Sequence, residues 1–202
     1  METKTTHPKQ FLPALQEADP LISAYFEISQ LKLLYRQGWL RRNVPSSLCE
    51  SVAEHSFGVA FLAMHLANVW FPHLDQLKVM RLAVLHDLGE VYCGDLTPAD
   101  GVDKQEKARR EAVSVKTVLG KLPHGEQYIA LWQEYEHQKS PEARFIRCID
   151  RLEMALQACV YEYQTDLDLG EFLDSAAGVL DGEIYQNLMA DLHKIRSSRD
   201  GS

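Results

Sequence analysis

The fold is decided by the stretch Leu82-Ala83-Val84-Leu85-His86-Asp87-Leu88-Gly89-Glu90. The residues before His86 are nearly all apolar, on all sides of a helix, and such a helix is buried inside a protein. The stretch ends in the polar groups of His86, Asp87 and Glu90, which are costly to bury without a compensating partner. On one continuous helix, Glu90 lies one turn beyond His86 on the same face. Either these groups cap a helix end near Gly89, or they hold a metal ion.

The size and composition of the chain indicate one globular domain. It has 202 residues, of which 46% are hydrophobic and 25% charged, and it is long enough for a core with a buried polar site. The net charge of -8 argues against a nucleic acid partner, because proteins that bind the phosphate backbone need a basic face. No apolar run approaches the ~18 residues of a membrane span, and the four cysteines form no C-x-x-C pair. We therefore expect a cytoplasmic protein with reduced thiols and no membrane contact.

Hydrophobic periodicity predicts helices along the chain and no alternating strand. Asp-Pro at residues 19–20 and Ser-Pro at 140–141 suit an N-cap followed by proline at the first helical position. The basic residues at 104–110, Lys107 among them, are most simply a solvated helix face. The pattern predicts seven to nine helices, near residues 19–37, 50–70, 74–90, 104–119, 125–138, 141–163, 171–177 and 182–196. We expect a single all-α domain over residues 13–196, with a loose N-terminal segment (1–12) and a loose C-terminal tail (197–202).

Two other predicted helices carry a polar residue on an inward face. His55 shares a helical stripe with Val59, and Asp150 has Ile146 and Met154 one turn away on either side. A lone inward histidine is more often a core residue than a metal ligand. An unpaired carboxylate at a position such as Asp150 is strongly disfavoured, so its partner is either an arginine of the same helix or a metal ion.

Taken together, these positions form a set of metal ligands on three separate helices. The set consists of His55, His86, Asp87 and Asp150. Two imidazoles and two carboxylates without a thiolate suit Mn²⁺, Fe²⁺, Co²⁺ or Zn²⁺ rather than a closed structural zinc site. The joint presence of the four is a stronger signal than any one of them. We expect a divalent metal cofactor, with Mg²⁺ also among the candidates.

Five stretches around these positions carry a resemblance to a known family. They are Gly38-Trp39-Leu40-Arg41-Arg42-Asn43-Val44, Glu50-Ser51-Val52-Ala53-Glu54-His55-Ser56, Arg81-Leu82-Ala83-Val84-Leu85-His86-Asp87-Leu88-Gly89-Glu90, Gly94-Asp95-Leu96-Thr97-Pro98-Ala99-Asp100 and Phe145-Ile146-Arg147-Cys148-Ile149-Asp150-Arg151-Leu152-Glu153-Met154. In this order they resemble the HD-domain metal-dependent phosphohydrolases, and among these the 5'-deoxynucleotidase branch. The resemblance implies a helical HD-domain bundle, hydrolysis of (deoxy)nucleoside 5'-monophosphates, and a homodimer.

The same resemblance implies a role for each matching residue. The catalytic metal would be bound by His55, His86, Asp87 and Asp150. Glu90 would position or deprotonate the attacking water, and Asp95 would protonate the leaving alkoxide or hold the sugar. In some relatives a second metal is held here, which would involve Glu90, Asp95 and the Leu96 carbonyl.

Contacts with the substrate are expected around the two adjacent arginines, Arg41 and Arg42. Arg42 would contact the phosphate, because a guanidinium matches phosphate oxygens bidentately; the alternative is a solvated basic loop. Bacterial members of the branch carry an Arg-Trp pair just upstream of the Arg-Asn-Val motif. Here Trp39 follows Gly38, and the nearest upstream arginine is Arg36. Trp39 and Arg36 are therefore further candidates for substrate contacts.

Two other functions stay open. The same scaffold can carry a phosphodiesterase or a nucleotide-polyphosphate hydrolase, since one fold hosts several substrates. It can also carry a nucleotide-binding regulatory module with little catalysis. The presence of both Glu90 and Asp95 argues against the regulatory module, because metal binding alone needs neither.

Overall fold

A computed structural model of the chain describes residues 1–5, 15 and 17–199. Over these residues it contains ten α-helices, two 3₁₀ helices (Ser29–Lys32 and Pro98–Asp100) and no strand, only two isolated β-bridges. The all-α prediction is therefore confirmed. The α-helices are α1 (Pro20–Ile28), α2 (Gln37–Arg41), α3 (Val52–Trp70), α4 (Gln76–Leu85), α5 (Glu90–Cys93), α6 (Lys104–Leu119), α7 (Gly125–Glu136), α8 (Pro141–Gln164), α9 (Gly170–Ala177) and α10 (Glu183–Arg199).

Side-chain caps start several of these helices where the sequence predicts them. The Asp19 carboxylate accepts a hydrogen bond from the backbone N–H of Leu21 at 2.8 Å, at the start of α1. The Ser140 hydroxyl accepts one from the N–H of Ala143 at 3.1 Å, at the start of α8. Such caps satisfy amide groups that the first helical turn leaves without a partner, so these helix starts are determined by local sequence.

The central helix is shorter than predicted. α4 ends at Leu85, and the backbone then winds more tightly: the N–H of Glu90 donates to the carbonyl of Asp87, three residues back, at 3.0 Å. In such winding, the side chains at i and i+3 are aligned. Glu90 therefore lies on the same side of the chain as Asp87, and not on the side of His86. A Cβ at Gly89 would lie 2.7 Å from the Cβ of Glu111 on α6. Only glycine allows α6 to approach this turn so closely.

The segment before α3 also differs from the prediction. α1 ends at Ile28 rather than near residue 37, and Gly38 lies inside α2 instead of ending a helix. The segment between α1 and α2 pairs with the residues that precede α3: the N–H of Arg36 donates to the carbonyl of Glu50 at 3.0 Å. Long-range pairing has overridden the local helical pattern, and it places Arg36 at the centre of the fold.

The bundle is organised around α3, α4 and α8, which pack against one another. Their contact surfaces are fully buried, as at Val59, Leu82 and Ile146. A second core lies between α1, the turn after α4, and α6. The expectation that α4 is buried on all sides was wrong, because Val84 is 62% exposed. One face of α4 packs against the core, and the polar residues that follow the C-terminal end of α4 lie at the centre of the bundle.

The ends of the chain are described only in part. Of the predicted loose N-terminal segment, residues 6–12 lie outside the described residues, as do residues 200–202 of the predicted tail. Residues 1–5 lie against the bundle, where Thr3 forms a bridge with Leu34 and Glu2 exchanges two hydrogen bonds with Gln37. The domain boundaries stay a prediction. Across the described part of the chain, no helix has the length and apolar character to cross a membrane.

Candidate metal centre

Three helices bring the predicted metal ligands to one point. His55 lies on α3 and Asp150 on α8, while His86 follows the end of α4. The ligand atoms of these three residues all lie within 4.8 Å of one another. The Nε2 atom of His55 is 3.3 Å from Oδ1 of Asp150 and 3.4 Å from Nε2 of His86. All three side chains are buried, so the cluster is part of the interior.

Asp87 is the fourth member of the cluster. Its Oδ2 atom lies 3.3 Å from Nε2 of His86 and 3.6 Å from Nε2 of His55. This oxygen is buried, and among the described residues it has no hydrogen-bond partner. A buried carboxylate oxygen without a partner is costly. A cation between the two imidazoles would remove that cost.

The second ring nitrogen of each histidine is already engaged. Nδ1 of His86 lies 2.7 Å from the carbonyl oxygen of Ala83, and Nδ1 of His55 lies 2.6 Å from Oε2 of Glu153. Because a carbonyl or carboxylate oxygen accepts, both Nδ1 atoms donate, so the two Nε2 atoms face each other as the positions open to a proton or a metal ion. This is the arrangement that orients histidines toward a metal ion.

The electrostatics of the cluster also suit a cation. Burial by itself raises the pKa values of Asp87 and Asp150, but the imidazoles of His86 and His55 outweigh it and hold both pKa values well below the ordinary range. Both carboxylates therefore stay ionised. Burial lowers the pKa of His55, yet Glu153 and Asp150 raise it above its ordinary value, so a proton competes with a metal ion for this nitrogen. The donor set fits a divalent ion of the Mn²⁺, Fe²⁺, Co²⁺ or Zn²⁺ type.

Two further carboxyl groups, those of Glu90 and Asp95, lie beside the cluster. Glu90 is 4% exposed, and its Oε2 has no hydrogen-bond partner within the described ranges. Burial raises the pKa of Glu90 well above its ordinary value, and the charges of Asp95 and Asp87 raise it further. A carboxylate with a raised pKa is suited to accept a proton. Oδ2 of Asp95 accepts a hydrogen bond from the N–H of Gln37 at 2.7 Å.

Arg36 is the predicted substrate contact that the structure brings to this centre. Its Nη1 atom lies 3.7 Å from Oδ2 of Asp87 and 3.6 Å from Oδ1 of Asp95, and the side chain is 16% exposed. These distances are those of ion pairs rather than hydrogen bonds. The guanidinium therefore keeps donors available for an anion that enters the site.

The other two predicted substrate contacts lie elsewhere. Arg42 is exposed and forms an ion pair with Glu171 of α9, which corresponds to the solvated alternative. Trp39 is 2% exposed and packs in the core against the rings of Tyr161 and Phe172. A buried indole in these contacts offers no free face to a nucleobase. The structure does not bring either residue to the ligand cluster.

Two residues lie beside this site that the sequence patterns did not assign to it. Glu153 lies three residues after Asp150 on α8, a spacing that puts both side chains on one helix face, so the signal was present. Lys107, predicted to be solvated, donates from Nζ to the carbonyl of Leu96 at 3.0 Å. Its position depends on how α6 packs, and no pattern within α6 predicts it.

Comparisons with known proteins agree with this geometry. A family model for the HD domain matches residues 28–190. The human protein 5'-deoxynucleotidase HDDC2 is 38% identical over 178 residues, which cover 85% of this chain and 83% of the human protein. The match therefore extends over most of both chains.

Solved structures show the same helical arrangement. The PH0347 protein from Pyrococcus horikoshii OT3 is 32% identical, with a TM-score of 0.71 over 87% of this chain and 98% of the archaeal one. A predicted metal-dependent phosphohydrolase from Magnetospirillum magnetotacticum MS-1 is 28% identical, with a TM-score of 0.65 over 89% of this chain and 93% of the other. With the helical bundle and the clustered His and Asp side chains, these matches show that the chain belongs to the HD domain family.

Proposed function

We propose that this protein is a metal-dependent 5'-deoxynucleotidase, which hydrolyses deoxynucleoside 5'-monophosphates to a nucleoside and phosphate. The observation that carries the proposal is the buried convergence of two imidazole Nε2 atoms and two ionised carboxylates. Beside them lies Glu90, whose Oε2 has no hydrogen-bond partner among the described residues. The name of the human relative, which aligns over most of both chains, supports the choice of substrate.

The metal ion has a defined place in this proposal. His55, His86, Asp87 and Asp150 would hold it, with Glu153 and the Ala83 carbonyl orienting the two imidazoles. A bound divalent ion polarises a phosphoryl oxygen and makes water a better nucleophile at neutral pH. Water is the nucleophile in this scheme, which uses neither a cysteine or serine nucleophile nor a glycine-rich phosphate loop.

The chain's own residues move the protons and place the phosphate. Glu90 accepts a proton from the attacking water, because burial and the charges of Asp95 and Asp87 raise its pKa and make its carboxylate a stronger base. Asp95 gives a proton to the 5'-oxygen as it leaves the phosphorus. Arg36, which faces both Asp87 and Asp95, binds the phosphate oxygens and neutralises charge during transfer. Most of the catalysis therefore comes from positioning and charge.

The oligomer and the compartment are part of the same proposal. The protein forms a homodimer, and a face of α3 with large exposed apolar side chains at Phe57, Phe61 and Met64 is consistent with a contact surface. It works in the cytoplasm, which suits its four free cysteines. Light scattering after size-exclusion chromatography and fractionation of cells test these two statements.

A phosphate-release screen tests the function. The purified protein, stripped of metal and resupplied with Mn²⁺, Co²⁺, Mg²⁺ or Zn²⁺, is given deoxy- and ribonucleoside 5'-monophosphates, the 3'-isomers, cyclic nucleotides, and di- and triphosphates. We expect release from 5'-monophosphates, with the deoxy forms preferred and no release without a metal. Ring opening of cyclic nucleotides to monophosphates, followed by chromatography, or faster hydrolysis of polyphosphates would select one of the alternative hydrolases.

A further inference from the structure

Two arginines of α8 lie beside Asp150. Nη1 of Arg147 is 3.8 Å from Oδ2 of Asp150, and Nε of Arg151 is 3.9 Å from the same oxygen. Both distances are those of ion pairs rather than hydrogen bonds. The other oxygen of this carboxylate, Oδ1, faces Nε2 of His55 at 3.3 Å. Asp150 thus has one oxygen in the ligand cluster and the other toward two cations.

The guanidinium groups of these arginines have different partners. Nη1 of Arg151 donates to Sδ of Met154, within α8, at 3.7 Å. Arg147 instead donates a hydrogen bond to the hydroxyl of Tyr135 on α7. Tyr135 is 5% exposed, and its ring packs edge-on against His86 with 5.6 Å between the ring centroids. Arg147 is therefore held beside the metal centre by a buried residue that contacts one of the predicted ligands.

Arg147 keeps donors that an incoming anion can reach. The hydrogen bond to Tyr135 uses one of its N–H groups and leaves the others available, and the side chain is 44% exposed. Its position beside Asp150 resembles that of Arg36 beside Asp87, where Nη1 and Oδ2 are 3.7 Å apart. Each of the two aspartates in the ligand cluster thus has a guanidinium just beyond hydrogen-bond distance.

The balance of charge differs between the two sides. Arg36 faces two carboxylates, those of Asp87 and Asp95, so its positive charge is shared before a substrate binds. Asp150 faces two arginines, which leaves a surplus of positive charge on the α8 side. Glu136 also lies in the field of Arg147, but it is exposed, and solvent screens exposed charges. An anion that enters the site is therefore attracted to the α8 side as well as to Arg36.

We propose that Arg147 is a second phosphate-binding residue, which contacts the phosphate of a nucleoside 5'-monophosphate from the α8 side while Arg36 contacts it from the Asp87 side. This inference rests on the proposed function. A guanidinium matches two phosphate oxygens with parallel N–H donors. A phosphomonoester carries about two negative charges at neutral pH, whereas a cyclic phosphodiester carries one, so a second guanidinium favours the monoester.

The experiment measures binding of inorganic phosphate to protein loaded with one equivalent of Mn²⁺, by calorimetry at pH 8, together with hydrolysis of a deoxynucleoside 5'-monophosphate. In Arg147→Met we expect the phosphate Kd and the KM each to rise about 10-fold, the effect of losing a hydrogen bond between charged groups. kcat should change less than about threefold, as for an interaction made equally with bound substrate and transition state. Metal affinity should stay the same or rise, because a guanidinium repels a metal cation.

Three further variants complete the test. Arg144→Met, which removes an exposed arginine one turn earlier on α8, is the matched control and should behave as wild type. Arg147→Lys keeps the charge but not the planar donors, so it should recover part of the loss. Tyr135→Phe keeps the ring but removes the hydroxyl that holds Arg147. It should show part of the loss alone and add nothing to Arg147→Met, because the two residues act as one unit.

The outcomes separate this inference from the proposed function. If Arg147→Met binds phosphate as wild type does while wild type hydrolyses 5'-monophosphates, the inference is wrong and the function stands. A parallel loss of metal affinity would also overturn it, because Arg147 would then act by positioning Asp150. If wild type releases no phosphate from 5'-monophosphates, the function falls, and the phosphate Kd values alone decide whether Arg147 binds phosphate.

Discussion

Nδ1 of His55 and Oε2 of Glu153 lie 2.6 Å apart in the interior of the bundle, where both side chains are buried. The carboxylate fixes which imidazole nitrogen faces Asp87 and Asp150, and it makes that nitrogen more basic. We predict that Glu153→Gln weakens metal binding about 10- to 100-fold, since loss of such a partner typically has that cost. The measurement is a metal titration of the stripped protein. Glu126→Gln, at an exposed position, is the control, and equal affinities in the two variants would contradict the prediction.

Removal of a ligand should abolish metal binding. His86→Ala and Asp150→Ala each take one donor atom from a cluster whose members lie within 4.8 Å of one another. We expect both variants to contain no tightly bound metal and to release no phosphate, while circular dichroism shows an unchanged helical content. Full metal occupancy in both variants, measured by elemental analysis, would disprove the assignment of the centre.

Glu90→Gln separates proton transfer from metal binding. Glutamine keeps the shape of the side chain but cannot accept the proton of the attacking water. We predict normal metal content and nucleotide affinity with a kcat lower by about 10²- to 10⁴-fold. The three quantities are measured on one preparation. An unchanged kcat would remove Glu90 from the mechanism, and loss of the catalytic metal would make it a ligand.

Substitutions of Arg36 and Arg42 should have very different effects on catalysis. Arg36 faces the centre, and Arg42 pairs with Glu171 at the surface. Arg36→Lys retains the charge but loses the planar donors that match a phosphate. We predict a fall in kcat/KM of about 10- to 100-fold, because a hydrogen bond to a charged group contributes ~1.5–3 kcal/mol. Arg42→Lys should stay within about twofold of wild type, as expected for an exposed ion pair. A large loss in Arg42→Lys with little loss in Arg36→Lys would show that the phosphate binds at the loop that carries Arg42.

Glu111 makes stability depend on pH. Burial raises the pKa of its carboxyl group from 4.5 to about 7 in the folded protein. The folded state therefore binds more protons than the unfolded state between these values. The free energy of unfolding therefore falls as the pH rises from about 4.5 to about 7, and it is constant above that range. The part of this fall that is due to Glu111 is no more than ~3 kcal/mol.

The Glu111→Gln variant tests this dependence. Compared with wild type, it should gain stability progressively from pH 5 to pH 8 in chemical unfolding, because glutamine has no proton to lose. Glu106→Gln is the control: Arg109 and Arg110 hold the pKa of Glu106 at about 2, so its difference from wild type should not change over this range. A constant difference for Glu111→Gln would show that its carboxyl group titrates normally.

Local sequence was sufficient to predict the fold class and most helix starts. Asp19 and Ser140 cap α1 and α8 with proline at the next position, and α6 has the predicted bounds. These signals act within one turn of helix, so they do not depend on the rest of the chain. The inward position of His55 follows in the same way from the 3.6-residue period, and it is confirmed by its burial.

The turn at residues 86–90 was beyond a local pattern. Apolar periodicity continues through Leu88, but the chain winds more tightly where α6 packs on Gly89, and this winding aligns Glu90 with Asp87. Likewise, backbone pairing between Arg36 and Glu50 interrupts the helix predicted to reach residue 37. In both places a contact between distant segments is worth more than the local helical preference.

The sequence by itself determined that the chain is helical, and that His55 and Asp150 lie on inward faces of separate helices. Only the tertiary structure decided which basic residues join them. It selected Arg36 over Arg42, buried Trp39 in the core, and brought Lys107 to the Leu96 carbonyl. The physical reason is the range of the interactions: a helix face is set by neighbours three and four residues away, whereas a long cationic side chain goes wherever packing places a carboxylate or a carbonyl within its reach.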